Sequence, residues 1–273
     1  MLSVVFVVVV VVGLVYVGLQ WFLEPYYVAR KKNREKACPP QEQEYITSST
    51  PLKFPKPWSS TATCSLSVII PAYNEEDRLS IMMEETMAYL KQRASLDGKF
   101  TYEVIIVDDA SKDKTVELAT SMISKYGSEI KVLRLAENHG KGGAIRKGIL
   151  RASGDLVLMV DADGATLFKD IEKLEAEMIN DNNPMIVIGS RAHLEQEAIA
   201  SRHFIRNFLM VGFHFIVSIL FSHGVRDTQC GFKLFNRRAC ELIFPAMHIE
   251  RWAFDVEILF LAGIHDIRVK VSD

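Results

Sequence analysis

Five short runs of continuous apolar residues, SLSVIIPAY, YEVIIVDD, IKVLRLAEN, DLVLMVDAD and PMIVIGSR, are separated by stretches such as EEDRLSIMMEETMAYLKQR and DKTVELATSMISKYG. The runs do not alternate with polar residues, which is what parallel strands covered on both faces require. In the intervening stretches apolar residues recur three and four positions apart, the spacing of a helix with one buried face. Strand and helix in alternation predict a doubly wound, mostly parallel α/β sheet. With 273 residues, 49% of them hydrophobic, the chain can bury the core that such a sheet needs.

In open α/β sheets ligands bind beyond the carboxyl ends of the strands. That rule selects Ala72, Tyr73, Asn74 and Glu75, then Asp108 and Asp109, then Asn138 to Gly143, then Asp161 and Asp163, then Ser190 and Arg191. Most are polar, and three of the five groups are acidic. Two carboxylates at i and i+2, Asp161 and Asp163, repel unless a counter-charge is present. A hard cation, Mg²⁺ or Mn²⁺, would resolve the conflict, since Mg²⁺ commonly takes one or two protein carboxylates plus substrate phosphates. The plainer alternative is a turn in which Asp161 caps the next element and Asp163-Gly164 is turn chemistry. Residues 138–146, NHGKGGAIR, end a strand and open a helix whose N–H groups favour an anion, with Lys141 and Arg146 adding charge. Plain turn-and-cap glycines explain that stretch equally well. It fails the dinucleotide fingerprint at its third glycine, which disfavours a soluble oxidoreductase.

Ahead of the domain, Leu2 to Leu23 carries no charge, and about 20 apolar residues suffice to cross a bilayer. A single transmembrane helix is expected over residues 1–30 together with its basic flank, which begins at Arg30 and continues through Lys31, Lys32, Arg34 and Lys36. Basic residues favour the cytosolic side, and Trp21, Tyr26 and Tyr27 suit the interface. A cleaved signal peptide would need a charged start and a small-residue cleavage site, which are not visible. Residues 31–63 read as a linker, because positions 37–63 hold five of the nine prolines and need not pack. The catalytic domain is expected over 64–273. A net charge of −2 offers nucleic acid no general attraction, and four scattered cysteines give neither a disulfide framework nor a metal spacing.

SVIIPAYNEE, VIIVDDASKDKT, NHGKGGAIRKG, VDADGAT, GSR, RDTQCGFKLF and RWAFDVEIL, in that order, resemble the family 2 inverting glycosyltransferases of GT-A, Rossmann-like fold, and among them the eukaryotic dolichyl-phosphate β-glucosyltransferases. The resemblance covers about residues 1–265. It implies UDP-glucose as donor, dolichyl phosphate as acceptor, a divalent metal, and a catalytic domain on the cytosolic face of the endoplasmic reticulum membrane. It makes Pro71, Ala72, Tyr73, Glu75 and Asp109 the nucleoside pocket and Asp161 and Asp163 the metal ligands. An aspartate can accept the uracil N3 proton, and an aromatic ring can pack the base. Pro71 and Asn74-Glu75 would also suit a helix start with acidic residues in its first turn.

A phosphate monoester acceptor is already anionic at pH 7, so it needs positioning more than deprotonation. Arginines suit that task. Of Arg191, Arg202, Arg206, Arg226 and Lys233, we favour Arg202 and Arg206, followed by Lys233. Asp255, in WAFDVE, stands where related enzymes place a carboxylate near the acceptor; otherwise it would be an exposed position on an amphipathic helix. Residues 208–221, FLMVGFHFIVSILF, give about 21 Å of helix, short of the roughly 30 Å hydrocarbon core. An interfacial helix guiding a lipid tail fits better than a span, with a buried core helix as the alternative. Family members continue past IRVKV, so the resemblance implies a C-terminally shortened chain with its donor residues complete. Two rival functions remain: mannose transfer from GDP-mannose to the same lipid, and a catalytically silent, membrane-bound form.

Overall fold

All five apolar runs form strands. In the computed structural model, which describes residues 44–47, 50–54, 61–178, 183–189, 230–251 and 253–272, they are β3 (Cys64–Ala72), β4 (Tyr102–Asp108), β5 (Ile130–Arg134), β6 (Gly154–Val160) and β7 (Met185–Gly189). A hairpin, β1 (Glu44–Thr47) and β2 (Thr50–Lys53), precedes them, and β8 (Phe232–Asn236) and β9 (Arg268–Ser272) follow. These elements lie within one compact unit, residues 41–273. The order across the sheet is β2-β1-β5-β4-β3-β6-β8-β7-β9.

The central block, β5-β4-β3-β6, is parallel throughout. Its chain leaves β3 in one direction through β4 and β5, then returns to β3's other side as β6. The order therefore reverses between β3 and β6, which opens a crevice at their carboxyl ends. Val68, Ile69, Ile70, Val104, Ile105, Ile106, Leu158 and Met159 have no exposed surface, as the continuous runs require.

Two expectations are corrected. The sheet is mixed rather than mostly parallel, because β8 inserts antiparallel between β6 and β7, and β1 joins β5 antiparallel. Residues 44–47 and 50–53, expected to belong to a linker that need not pack, form paired strands that extend the sheet edge. The helices are α1 (Leu79–Leu96), α2 (Thr115–Tyr126), α3 (Gly140–Ile149), α4 (Ile171–Glu177), α5 (Arg237–Ile243) and α6 (Phe254–Ile264). Helix α3 lies close on the sheet, since a Cβ at Gly148 would stand 2.6 Å from Ile69 Cγ2 and 2.7 Å from Val107 Cγ2.

Among the described residues no helix is long and apolar enough to cross a membrane. The Leu2–Leu23 run, on which the transmembrane helix was expected, and the 208–221 segment lie outside the described residues. Cys64, Cys230 and Cys240 are free thiols. Burial pushes Cys64 up to about 11 and Cys240 well above its ordinary range, so neither is a reactive thiolate at neutral pH.

Candidate active site

The crevice between β3 and β6 holds a cavity of about 390 Å³ lined by Pro71, Ala72, Tyr73, Glu75, Asp109, Lys141, Asp161 and Asp163. These eight come from three strand ends, those of β3, β4 and β6, and the start of α3. Arg78, Asn138, Gly140, Ala144, Ala162 and Arg251 complete its wall. A larger cavity, about 460 Å³, lies beside β1 at Tyr45, Ser111 and Arg134 and is lined by none of the acidic strand-end residues.

Backbone hydrogen bonds lock the first two strand ends together. Asp109 N–H donates to the Ala72 carbonyl at 2.9 Å. Asn74 N–H donates to Ser111 Oγ at 3.0 Å, Glu75 N–H to Thr115 Oγ1 at 2.8 Å, and Lys112 N–H to Asn74 Oδ1 at 2.9 Å. Asn74 (φ 55°) and Ala110 (φ 59°) both take left-handed backbone at this clasp, a strain that only a well-held loop sustains. YNEE is thus a clasp and not a helix start: α1 begins at Leu79 with no acidic residue in its first turn. Tyr73 is exposed at the cavity lip. Glu75 bonds Arg78, and burial raises its carboxyl despite that partner.

Asp109, almost wholly buried, accepts from His139 N–H at 2.7 Å and Gly140 N–H at 2.8 Å. Burial pushes its carboxyl up to about 6 against the pull of those two donors. It therefore caps α3. The Gly143 N–H is also taken, by the Glu250 carbonyl at 2.7 Å. The glycines serve close packing: a Cβ on Gly142 would stand 2.6 Å from Phe254 Cβ and 2.7 Å from the Ile249 carbonyl. Arg146 does not add charge to this end of the helix, because it donates to the Phe244 carbonyl at 3.0 Å. Lys141 does, and its Nζ lies 2.6 Å from Asp161 Oδ1.

Asp161 and Asp163 follow β6, and Asp163 Oδ1 accepts the Ala165 N–H at 3.0 Å. The turn reading of Asp163 is therefore realised in the same residue that faces the cavity. Across from β6, Val160 pairs with Phe232, and one step further Gly231 lies against Asp161, where a Cβ would overlap the carboxylate. That cradle leaves room for Asp161 only because residue 231 has no side chain. Among the described residues no cluster of three or more His, Cys, Asp or Glu stands ready for a metal. A pair of carboxylates at the mouth of a cavity nevertheless fits a cation that completes its shell with diphosphate oxygens and water.

Lys233 does not fit the acceptor-phosphate contact expected of it. It has no exposed surface and donates to Asp255 Oδ1 at 2.6 Å and to the Cys230 carbonyl at 2.5 Å. Asp255 is likewise buried rather than exposed on its helix. Burial raises its carboxyl, Lys233 opposes that shift, and the charges of Lys141 and Asp161 are close enough to be felt. Neither Lys233 nor Asp255 lines the cavity. Arg202 and Arg206 lie outside the described residues. Arg78 and Arg251 line the cavity without having been singled out in the sequence, although Arg251 opens the RWAFDVEIL stretch.

The family profile described as glycosyl transferase family 2 matches residues 67–244. The chain belongs to glycosyltransferase family 2. This family 2 chain is 50% identical over 237 residues to a human protein named dolichyl-phosphate beta-glucosyltransferase, covering 84% of this chain and 72% of the human one. A Drosophila melanogaster protein of that name is 47% identical over 92% of this chain and 76% of its own. Among solved structures, a glucosyl-3-phosphoglycerate synthase from Mycobacterium tuberculosis in complex with uridine-diphosphate superposes with TM-score 0.54 at 16% identity, covering 77% of this chain and 70% of that one. That likeness carries the fold, which is GT-A-like with a mixed sheet.

Proposed function

We infer that this family 2 glycosyltransferase moves glucose from UDP-glucose to dolichyl phosphate with inversion. The observation that carries the reading is the meeting of Tyr73, Glu75, Asp109, Lys141, Asp161 and Asp163 in one cavity at the strand-order reversal. It is supported by 50% identity to a protein named dolichyl-phosphate beta-glucosyltransferase. We place the catalytic domain on the cytosolic face of the endoplasmic reticulum membrane. The charge-free Leu2–Leu23 run and the basic residues after it support this placement.

In this reading Tyr73 packs the base and Asp109 accepts the uracil N3 proton. Lys141 neutralises the diphosphate. Asp161 and Asp163 would hold a divalent cation, Mg²⁺ or Mn²⁺, which would supply positive charge toward the departing UDP. The acceptor phosphate is an anionic nucleophile at pH 7 and needs no general base. Asp255, which accepts from the buried Lys233 ammonium, accordingly anchors that lysine rather than serving as a proton acceptor. Arg202 and Arg206 orient the acceptor phosphate.

The test uses the full chain with dolichyl phosphate and either radiolabelled UDP-glucose or labelled GDP-mannose. Label should enter the lipid from UDP-glucose only, and a chelator should stop it. Transfer from GDP-mannose alone overturns the donor, and no transfer from either favours the silent form. Asp163 is exposed, so Asp163→Asn should leave the melting temperature unchanged while turnover falls on the order of a hundredfold. Full activity in that variant removes Asp163 from the metal site.

Asp109 gives this reading a pH signature. Its pKa near 6 means that the accepting carboxylate is mostly ionised at pH 7 and mostly protonated at pH 5. Uridine, which has no titrating phosphate, should therefore bind about tenfold more weakly at pH 5 than at pH 7. The linked stability runs the other way: a carboxyl raised from 3.8 to about 6 costs the fold stability as pH rises through that window. Calorimetric titrations with uridine at both values check the first effect, and a flat profile would remove Asp109 from base recognition.

A further inference from the structure

Asp161 already has a cation, and it belongs to the protein. The Lys141 ammonium stands 2.6 Å from Asp161 Oδ1, on a side chain 36% exposed, while the Asp161 side chain is 18% exposed. We propose that Lys141 is the resident counter-ion of Asp161 and gives way when a divalent cation and a nucleotide diphosphate arrive together. The cation takes over the carboxylate, and the released ammonium neutralises the diphosphate. The inference rests on the reading of Asp161 and Asp163 as the metal pair.

Three observations support the exchange. The carboxylate cannot turn away from its partner freely, because Gly231 backs it so closely that no Cβ would fit between them. An incoming cation therefore meets Asp161 where Lys141 now stands, and two positive charges on one carboxylate oxygen repel. Next, the start of α3 has part of its backbone already taken, since His139 and Gly140 N–H are committed to Asp109 and Gly143 N–H to Glu250. Side-chain positive charge for a diphosphate at this helix end comes from Lys141, with Arg251 also on the cavity wall beside Gly140. Finally, three other nearby cations have commitments of their own: Lys233 is buried on Asp255, Arg146 donates to the Phe244 carbonyl, and Arg78 is paired with Glu75.

Competition for Asp161 has a thermodynamic consequence. Metal alone must displace the lysine without compensation, whereas metal with nucleotide leaves the lysine a new partner. The two ligands should therefore strengthen one another by equal factors, as linkage demands, and part of that factor belongs to Lys141.

The full chain in detergent and its Lys141→Met variant separate the possibilities. Mn²⁺ binding without nucleotide is read by electron paramagnetic resonance, and UDP binding without metal by calorimetry. In the variant Mn²⁺ should bind about threefold to fivefold more tightly, the worth of a half-exposed ion pair, and UDP should bind more weakly. The factor by which UDP tightens Mn²⁺ should shrink. Mn²⁺ that binds wild type and variant alike, or binds the variant less well, overturns the exchange and leaves the metal pair standing. Mn²⁺ that binds neither protein overturns both.

Discussion

Gly231→Ala should fold with a near-normal melting temperature and lose turnover by on the order of a hundredfold, although it adds a single methyl group outside the cavity wall. The reason is what that methyl would meet. A Cβ at 231 overlaps the Asp161 carboxylate outright. Gly231 shows no left-handed φ, so its backbone accepts alanine and the strain falls on the aspartate. A side-chain carboxylate swings aside at little cost to the fold. It then leaves both its Lys141 partner and the position it shares with Asp163. Displacements of about 1 Å in a catalytic constellation cost about a hundredfold in rate. Melting curves beside glucosyl transfer rates make the check, with UDP affinity measured with and without Mn²⁺. If the variant keeps more than half of wild-type turnover, Gly231 does not hold Asp161 in a working position.

The sequence patterns that proved most legible were those with local causes. Continuous apolar runs became strands because burial on both faces leaves no place for polar residues, and residues just past β3, β4, β5 and β6 became the cavity wall, while Ser190 and Arg191 past β7 lie outside the described residues. The Pro-rich segment misled because its pairing partner is distant: Ile46 finds Val132. Pro51 is tolerated there because β2 is the outermost strand, where a missing N–H breaks no ladder on its free side. Lys233 misled for a similar reason. A lysine within FKLF reads as a solvated charge, and only its fold-level neighbour Asp255, 22 positions later in the chain, reveals a buried pair. The clasp between YNEE and DASKDKT was also invisible, since its hydrogen bonds join residues 37 to 40 positions apart. Even so, Asp109 was selected correctly as a cavity residue, while its second task of capping α3 depended on where α3 would dock.

A second substitution should affect stability and leave the chemistry alone. Glu103, near the start of β4, is 4% exposed. It accepts from Ser67 Oγ at 2.5 Å, from Ser153 N–H and Oγ at 2.7 Å each, and from Lys131 Nζ at 2.5 Å. Burial alone would raise its carboxyl, but Lys131 and these donors outweigh burial and hold it below the usual range. Glu103→Gln leaves Lys131 without its counter-charge and removes one acceptor oxygen from a satisfied network. Breaking such a buried pair costs about 3 to 5 kcal/mol, or a fall in melting temperature of roughly 10 °C for a domain of this size. Because the carboxyl is lowered on folding, its contribution is present above the unfolded value near 4.5 and fades as pH falls through the folded one. Wild type and variant should therefore converge in stability under acid. Glu103 and Asp109 sit at opposite ends of β4, about 20 Å apart at the rise of a strand. UDP affinity at a temperature where both proteins are folded should consequently match. Removing both charges while keeping an acceptor, Glu103→Gln with Lys131→Met, should recover part of the loss, since no charge is then stranded and Ser67 and Ser153 keep a partner. A single variant as stable as wild type at pH 7, or equally separated from it at pH 3 and pH 7, would show that the sheet's amino-terminal edge is held by something other than this ion pair.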